Sequence, residues 1–173
     1  MQAMGANQTS TVSATVPDAS RERPRRGWDP GRRLLRCIRV YQASREQGGL
    51  APNLRYRSAA LAHRFWSVVT GADIPLNTEI GEGLMIPHPN GIVIHPGAKI
   101  GPNCLIFQQV TIGTADGPGV PVIGGHVDIG AGAKVLGPVT IGDHAKIGAN
   151  AVVVTDVPEG ATAVGIPARI VSA

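Results

Sequence analysis

Five histidines, His63, His88, His95, His126 and His144, are the side chains best suited to moving a proton near neutral pH. His88 stands out. It sits in the run Ile86-Pro87-His88-Pro89-Asn90-Gly91, where two prolines restrict the backbone. Asp73 lies 15 residues before it. A histidine backed by a carboxylate can act as a general base. The imidazole takes the proton of an attacking hydroxyl, and the carboxylate selects the tautomer and stabilises the imidazolium. Spacing alone leaves a second account open, a surface histidine in a proline-rich turn.

The elements that must position these groups follow a period of six. Ile74, Ile80, Ile86 and Ile92 form one run, and Ile94, Ile100, Ile106 and Ile112 resume it after a two-residue slip. Ile123, Ile129, Val135, Ile141, Ile147 and Val153 form the third. Half of these 14 residues are followed directly by Gly, and the later runs keep a small or β-branched residue four positions on. No α-helix repeats every six residues, and a simple amphipathic strand alternates every two. Six residues make one short strand and one turn, so three such units would close a triangular coil of about 18 residues, with coils stacked ~4.8 Å apart. On that spacing Asp73 falls at the corner of His88, one rung below.

Breaks in the period mark the rest of the chain. Residues 114–122 (TADGPGVPV) are expected to loop out from a corner. Upstream, 31–47 and 56–69 read as two short helices. Their residues Leu34, Leu35, Ile38 and Val40, then Leu61, Ala62, Phe65 and Trp66, would cover the open end of the coil. The expected organisation is a disordered basic tail over 1–27, a helical cap over 28–72, and a β-coil domain over 73–173.

Charge divides along the same boundary. Residues 1–67 carry 12 Lys and Arg against 4 Asp and Glu, and residues 68–173 carry 4 against 8. The basic half has no nucleic-acid-binding motif, so a solvated helical face beside a flexible tail is the expectation. No apolar run approaches the ~18 residues of a membrane span. The two cysteines, Cys37 and Cys104, are read as reduced thiols of a cytoplasmic protein.

From Ile74 to Val171, 98 of 173 residues, the chain resembles the serine O-acetyltransferases among the hexapeptide-repeat acyltransferases. The match is carried by Asp73-Ile74 and His88-Pro89-Asn90-Gly91-Ile92-Val93. It continues in the blocks from Phe107 to Gly113 and from Ile129 to Gly137, and in the closing Gly165-Ile166-Pro167-Ala168-Arg169-Ile170-Val171. The resemblance implies a mainly β fold, a left-handed parallel β-helix with a short N-terminal helical segment, working as a homotrimer with sites between subunits. It implies acetyl-CoA as donor and a small-molecule hydroxyl as acceptor, with His88 as base and Asp73 orienting it. For the donor it points to Gly113, Gly130, Ala131 and Ala149 along a groove. Lys134, Thr155 and Arg169 stand near the phosphates, Thr155 where many relatives have lysine. No metal is expected.

Two departures bear on the acceptor. Pro87 stands where serine acetyltransferases carry Asp, and Val120 falls where their excursion loop carries a second active-site histidine. A sugar or specialised-metabolite hydroxyl is therefore the alternative to serine. A non-catalytic trimeric scaffold is a further alternative. So is a metalloenzyme like γ-class carbonic anhydrase, although the histidine gaps of 25, 7, 31 and 18 residues do not suit its zinc site.

Overall fold

A computed structural model describes residues 12–25, 27–45, 47 and 49–172. Two helices, α1 (Pro30–Arg45) and α2 (Leu50–Thr70), precede a left-handed parallel β-helix. Among the described residues no helix is long and apolar enough to cross a membrane.

The β-helix has three sheets. Sheet 1 stacks Glu79–Ile80, Lys99–Ile100, Val122–Ile123 and Thr140–Ile141. Sheet 2 stacks Leu105–Ile106, Asp128–Ile129, Lys146–Ile147 and Thr162–Val164, and closes with the antiparallel Arg169–Ser172. Sheet 3 stacks Val93–Ile94, Thr111–Gly113, Lys134–Leu136 and Val152–Val153, and isolated bridges extend it to Asp73 and sheet 2 to Met85. In each two-residue strand the second residue points inward, so the Ile and Val column is buried from Ile74 to Val153. Each such burial contributes roughly 1.5–3 kcal/mol before entropy is subtracted.

The coil length is not uniform. Ile80 pairs with Ile100, Ile100 with Ile123 and Ile123 with Ile141, which are steps of 20, 23 and 18 residues. The expected 18-residue coil therefore does not describe the turn joining Asp73 to His88. The corner over 87–92 has two residues more than the corners over 107–110 and 130–133, and Asp73 lies beneath Val93. Ile92 also leaves the inward column: Ile94 pairs with Ile112, so Ile92 takes the flanking place that Val110 occupies one coil on. The 23-residue coil contains the excursion.

The N-terminal region departs further from expectation. Residues 1–11 lie outside the described residues, but residues 12–25, expected to be disordered, form a strap along the edge between sheets 1 and 2. Asn103 holds it: its Nδ2 donates to the carbonyls of Ser13 and Val16 at 2.7 and 2.8 Å, and its Oδ1 accepts from the Asp18 N–H at 2.8 Å. Ala14 lies so close to Gly125 that a Cβ there would strike its backbone. Glu22, buried, accepts two bonds from Arg39 at 2.9 and 2.7 Å and a third from the Leu84 N–H. The strap is held by backbone polar groups, which low side-chain hydrophobicity does not forbid.

Helix α2 begins six residues earlier than its pattern suggested, with Pro52 tolerated in its first turn. Leu34, Leu35 and Ile38 of α1 seal the coil as expected. Leu61 and Phe65 do not, being 71% and 58% exposed. Helix α1 is packed against α2, and Ala59 on the opposite side of α2 is buried.

Candidate functional site

The edge between sheets 2 and 3 carries most of the residues singled out above. Its corners stack by backbone hydrogen bonds: Gln109 N–H to Asn90, Gly132 N–H to Gln108, and Asn150 N–H to Ala131, each at 2.8–2.9 Å. His88 is exposed at the foot of this edge, in the lengthened corner. Gly130, Ala131 and Ala149 follow above it. At the top the tail crosses over, Val152 N–H donating to Gly165 and Ala168 N–H to Val152. This brings Arg169, exposed, to the same end, where among the described residues its guanidinium donates only to the Ala168 carbonyl.

The extra two residues make His88 accessible. In the four-residue corner one coil above, Phe107 and Gln108 stay half-buried, whereas Pro87, His88 and Asn90 are all exposed. The corner is held from behind by the start of α1. Gly31 abuts the Ile86 carbonyl and the Pro89 ring so closely that a Cβ would lie 2.6 Å from the Ile86 oxygen.

Asp73 lies on the adjoining face. Its N–H donates to Ile92 at 2.8 Å and its carbonyl accepts from Ile94 at 2.9 Å, which leaves the carboxylate outside. It lines a shallow groove of about 370 Å³ on sheet 3 with His95, Thr111, Gly113 and Leu136. Among the described residues no hydrogen bond or ion pair joins Asp73 to His88. Lys134, also on sheet 3, donates to the Gln109 carbonyl at 2.6 Å and so leans toward the edge of His88. Gly113 and Thr155 fall on the far side of sheet 3, away from that edge.

The other histidines have structural partners. His63 Nε2 meets the Ile74 carbonyl at 2.8 Å, and His95 Nδ1 accepts the Gly97 N–H at 3.1 Å. His126 and His144 stack one coil apart, Nδ1 to Nδ1 at 2.8 Å, on the edge between sheets 1 and 2. Among the described residues no group of three or more His, Cys, Asp or Glu could hold a metal. Cys104 is buried, and burial pushes its thiol up to about 11.

Sequence reasoning missed a cavity of about 300 Å³ beside the corner of His88. Arg25, Trp28, Asp29 and Arg32 wall it on one side, and Met85, Ile86 and Pro87 on the other. Burial alone would raise the Asp29 carboxyl. Hydrogen bonds from the Arg25 N–H and from Arg32 outweigh it and hold the group below its usual range. The only sequence signal was the Asp29-Pro30 pair that opens α1, a helix-start pattern.

Residues 121–155 match the family described as bacterial transferase hexapeptide (six repeats). The serine acetyltransferase of Helicobacter pylori (strain J99) is 38% identical over 146 residues, covering 83% of this chain and 82% of its own. That of Synechococcus elongatus is 43% identical over 107 residues, 60% of this chain and 44% of its own. A solved serine acetyltransferase in complex with CoA superposes with a TM-score of 0.69 at 38% identity, over 83% of this chain and 58% of that one. The chain thus spans about half the length of several proteins it matches.

Proposed function

The chain belongs to the serine acetyltransferase family, and from that premise we propose that it transfers an acetyl group from acetyl-CoA to a hydroxyl. The observation that carries the reading is the lengthened corner over 87–92, which sets an exposed histidine at the foot of an edge lined by Ala131 and Ala149. Small side chains there suit an extended pantetheine arm lying close to backbone. Lys134 and Arg169 are the cations for its phosphates, a planar guanidinium being well matched to them. Gly113, Gly130 and Thr155 complete the proposed donor contacts, Gly113 and Thr155 from a neighbouring copy's face.

In this mechanism His88 takes the acceptor's proton as its oxygen attacks the thioester carbonyl. The new C–O bond forms, the tetrahedral intermediate collapses with loss of the C–S bond, and the imidazolium returns the proton to the departing thiolate. Backbone N–H groups near the corner are the donors such an oxyanion needs. Asp73 acts from the sheet 3 side, its carboxylate favouring the imidazolium. A homotrimer places a second prism against this edge and closes the cleft. Free thiols at Cys37 and Cys104 suit a reducing cytoplasm.

Serine is one acceptor. The excursion favours another, because Thr114 to Pro121 holds no cation to receive a free amino acid's carboxylate. The test is thiol release from acetyl-CoA with serine, homoserine and a panel of sugars, alongside calorimetric binding of acetyl-CoA. Binding and release are expected with at least one hydroxyl. A chain that binds no acetyl-CoA is not a transferase.

A further inference from the structure

The cavity beside His88 has the composition of a site for an anion-bearing organic molecule. At about 300 Å³ it has the size at which small-ligand sites begin, well beyond the needs of free serine. Its floor is apolar, formed by Met85, Ile86 and Pro87, and Trp28 stands over it, 75% exposed and edge-on to Trp66 at 5.8 Å. Two guanidinium groups face one carboxylate, so the lining is net positive. Arg32 is partly committed, its Nε to the Arg21 carbonyl at 2.8 Å and one Nη to Asp29 at 3.3 Å. The Arg25 guanidinium makes no hydrogen bond among the described residues. The wall is also rigid, since α1 starts against the Ile86 carbonyl and Pro89.

We propose that this cavity holds the body of the hydroxyl acceptor, and that Arg25, with the remaining edge of Arg32, binds an oxyanion the acceptor carries, a carboxylate or a phosphate. This rests on the transferase reading. It places in the N-terminal segment the cation that the excursion lacks, and it assigns Trp28 to cover the apolar part of the molecule. Pro87 lines the cavity and the next residue, His88, stands just outside it, so an acceptor held by Arg25 must extend past Pro87 to bring its hydroxyl to the base. An arginine fork suits either oxyanion.

The experiment compares matched acceptors by thiol release from acetyl-CoA: L-homoserine against its methyl ester, and glycerol 3-phosphate against glycerol. The wild-type chain is expected to prefer the oxyanion-bearing member of at least one pair, and that pair distinguishes carboxylate from phosphate. Arg25→Gln is expected to lower the ratio of kcat/KM between the oxyanion-bearing members and their partners about 10-fold, through KM of the acceptor and not of acetyl-CoA. Because Arg25 is exposed, its melting temperature should not move. Met85→Trp, which fills the floor, is expected to exclude homoserine before glycerol. An unchanged ratio in Arg25→Gln, or a wild-type preference for the members without an oxyanion, overturns the pocket assignment and leaves the transferase intact. Absence of any acetyl-CoA turnover overturns both.

Discussion

Two edges of the same prism have opposite fates. Between sheets 1 and 2 every corner is four residues long, Asn103, His126 and His144 take the same left-handed backbone turn at φ of 62°, 52° and 60°, and the strap lies along the lower coils. Between sheets 2 and 3 the first corner has two residues more, no strap runs along it among the described residues, and the tail folds over the top. The repeat is a scaffold that treats its edges alike. What separates them is the irregularity added to each: a buried asparagine that recruits the chain's own N-terminal segment, and an inserted pair that pushes a histidine out. One edge is covered by the chain itself, and the other is the edge proposed for the chemistry.

The sharpest way to break that division is at His88. His88→Ala is expected to lower kcat by about 10²-fold or more while leaving the melting temperature unchanged, because the side chain is exposed and makes no hydrogen bond among the described residues. Turnover and thermal unfolding measured on one preparation decide it. A variant that keeps wild-type turnover returns His88 to the role of a surface residue in a proline turn.

The reciprocal prediction concerns Asn103. Replacing it with Ala strips three hydrogen bonds from the strap and leaves at φ 62° a residue without asparagine's tolerance of the left-handed region. Leaving backbone groups unpaired and straining the turn should together cost about 2–4 kcal/mol. Denaturant unfolding reads the loss. kcat at a temperature where the variant is folded should be unchanged. A variant as stable as wild type would mean that the strap contributes nothing to the sealed edge.

Much of this was legible before any coordinates. The Ile and Val period dictates a three-sided coil because no other element repeats at six, and the slip between Ile92 and Ile94 marked the corner where the coil lengthens. A uniform 18-residue coil puts Asp73 one rung under His88, whereas the two extra residues of that corner shift the register and set it under Val93. The strap was invisible for a different reason. Ser13, Val16 and Asp18 bind through backbone groups to one distant asparagine, and such bonds leave no side-chain pattern. Helix α2 is apolar on two opposite sides, and composition does not say which side meets α1. The cavity joins residues near 28 to residues near 86, and only the packing of α1 against the lengthened corner brings them together.

The smallest expected effect lies on the sealed edge and depends on pH. His126 and His144 face each other Nδ1 to Nδ1 at 2.8 Å, so one ring donates and the other accepts. Burial holds His126 below its ordinary pKa, Asp128 partly opposes this, and the neighbouring His144 adds to it. The unfolded chain, with a histidine pKa near ~6.5, then takes up the proton more readily than the folded one. Stability from this pair is therefore complete above about pH 6.5 and is lost as pH falls through the folded value. His126→Asn keeps the left-handed turn, which asparagine tolerates and Asn103 already uses one coil below. The wild-type melting temperature should fall between pH 7.5 and pH 5, and the variant should fall less. A variant whose melting temperature falls as steeply as the wild type's would show that acid acts elsewhere, on the open edge or the helices, and the division between the two edges would lose its pH signature.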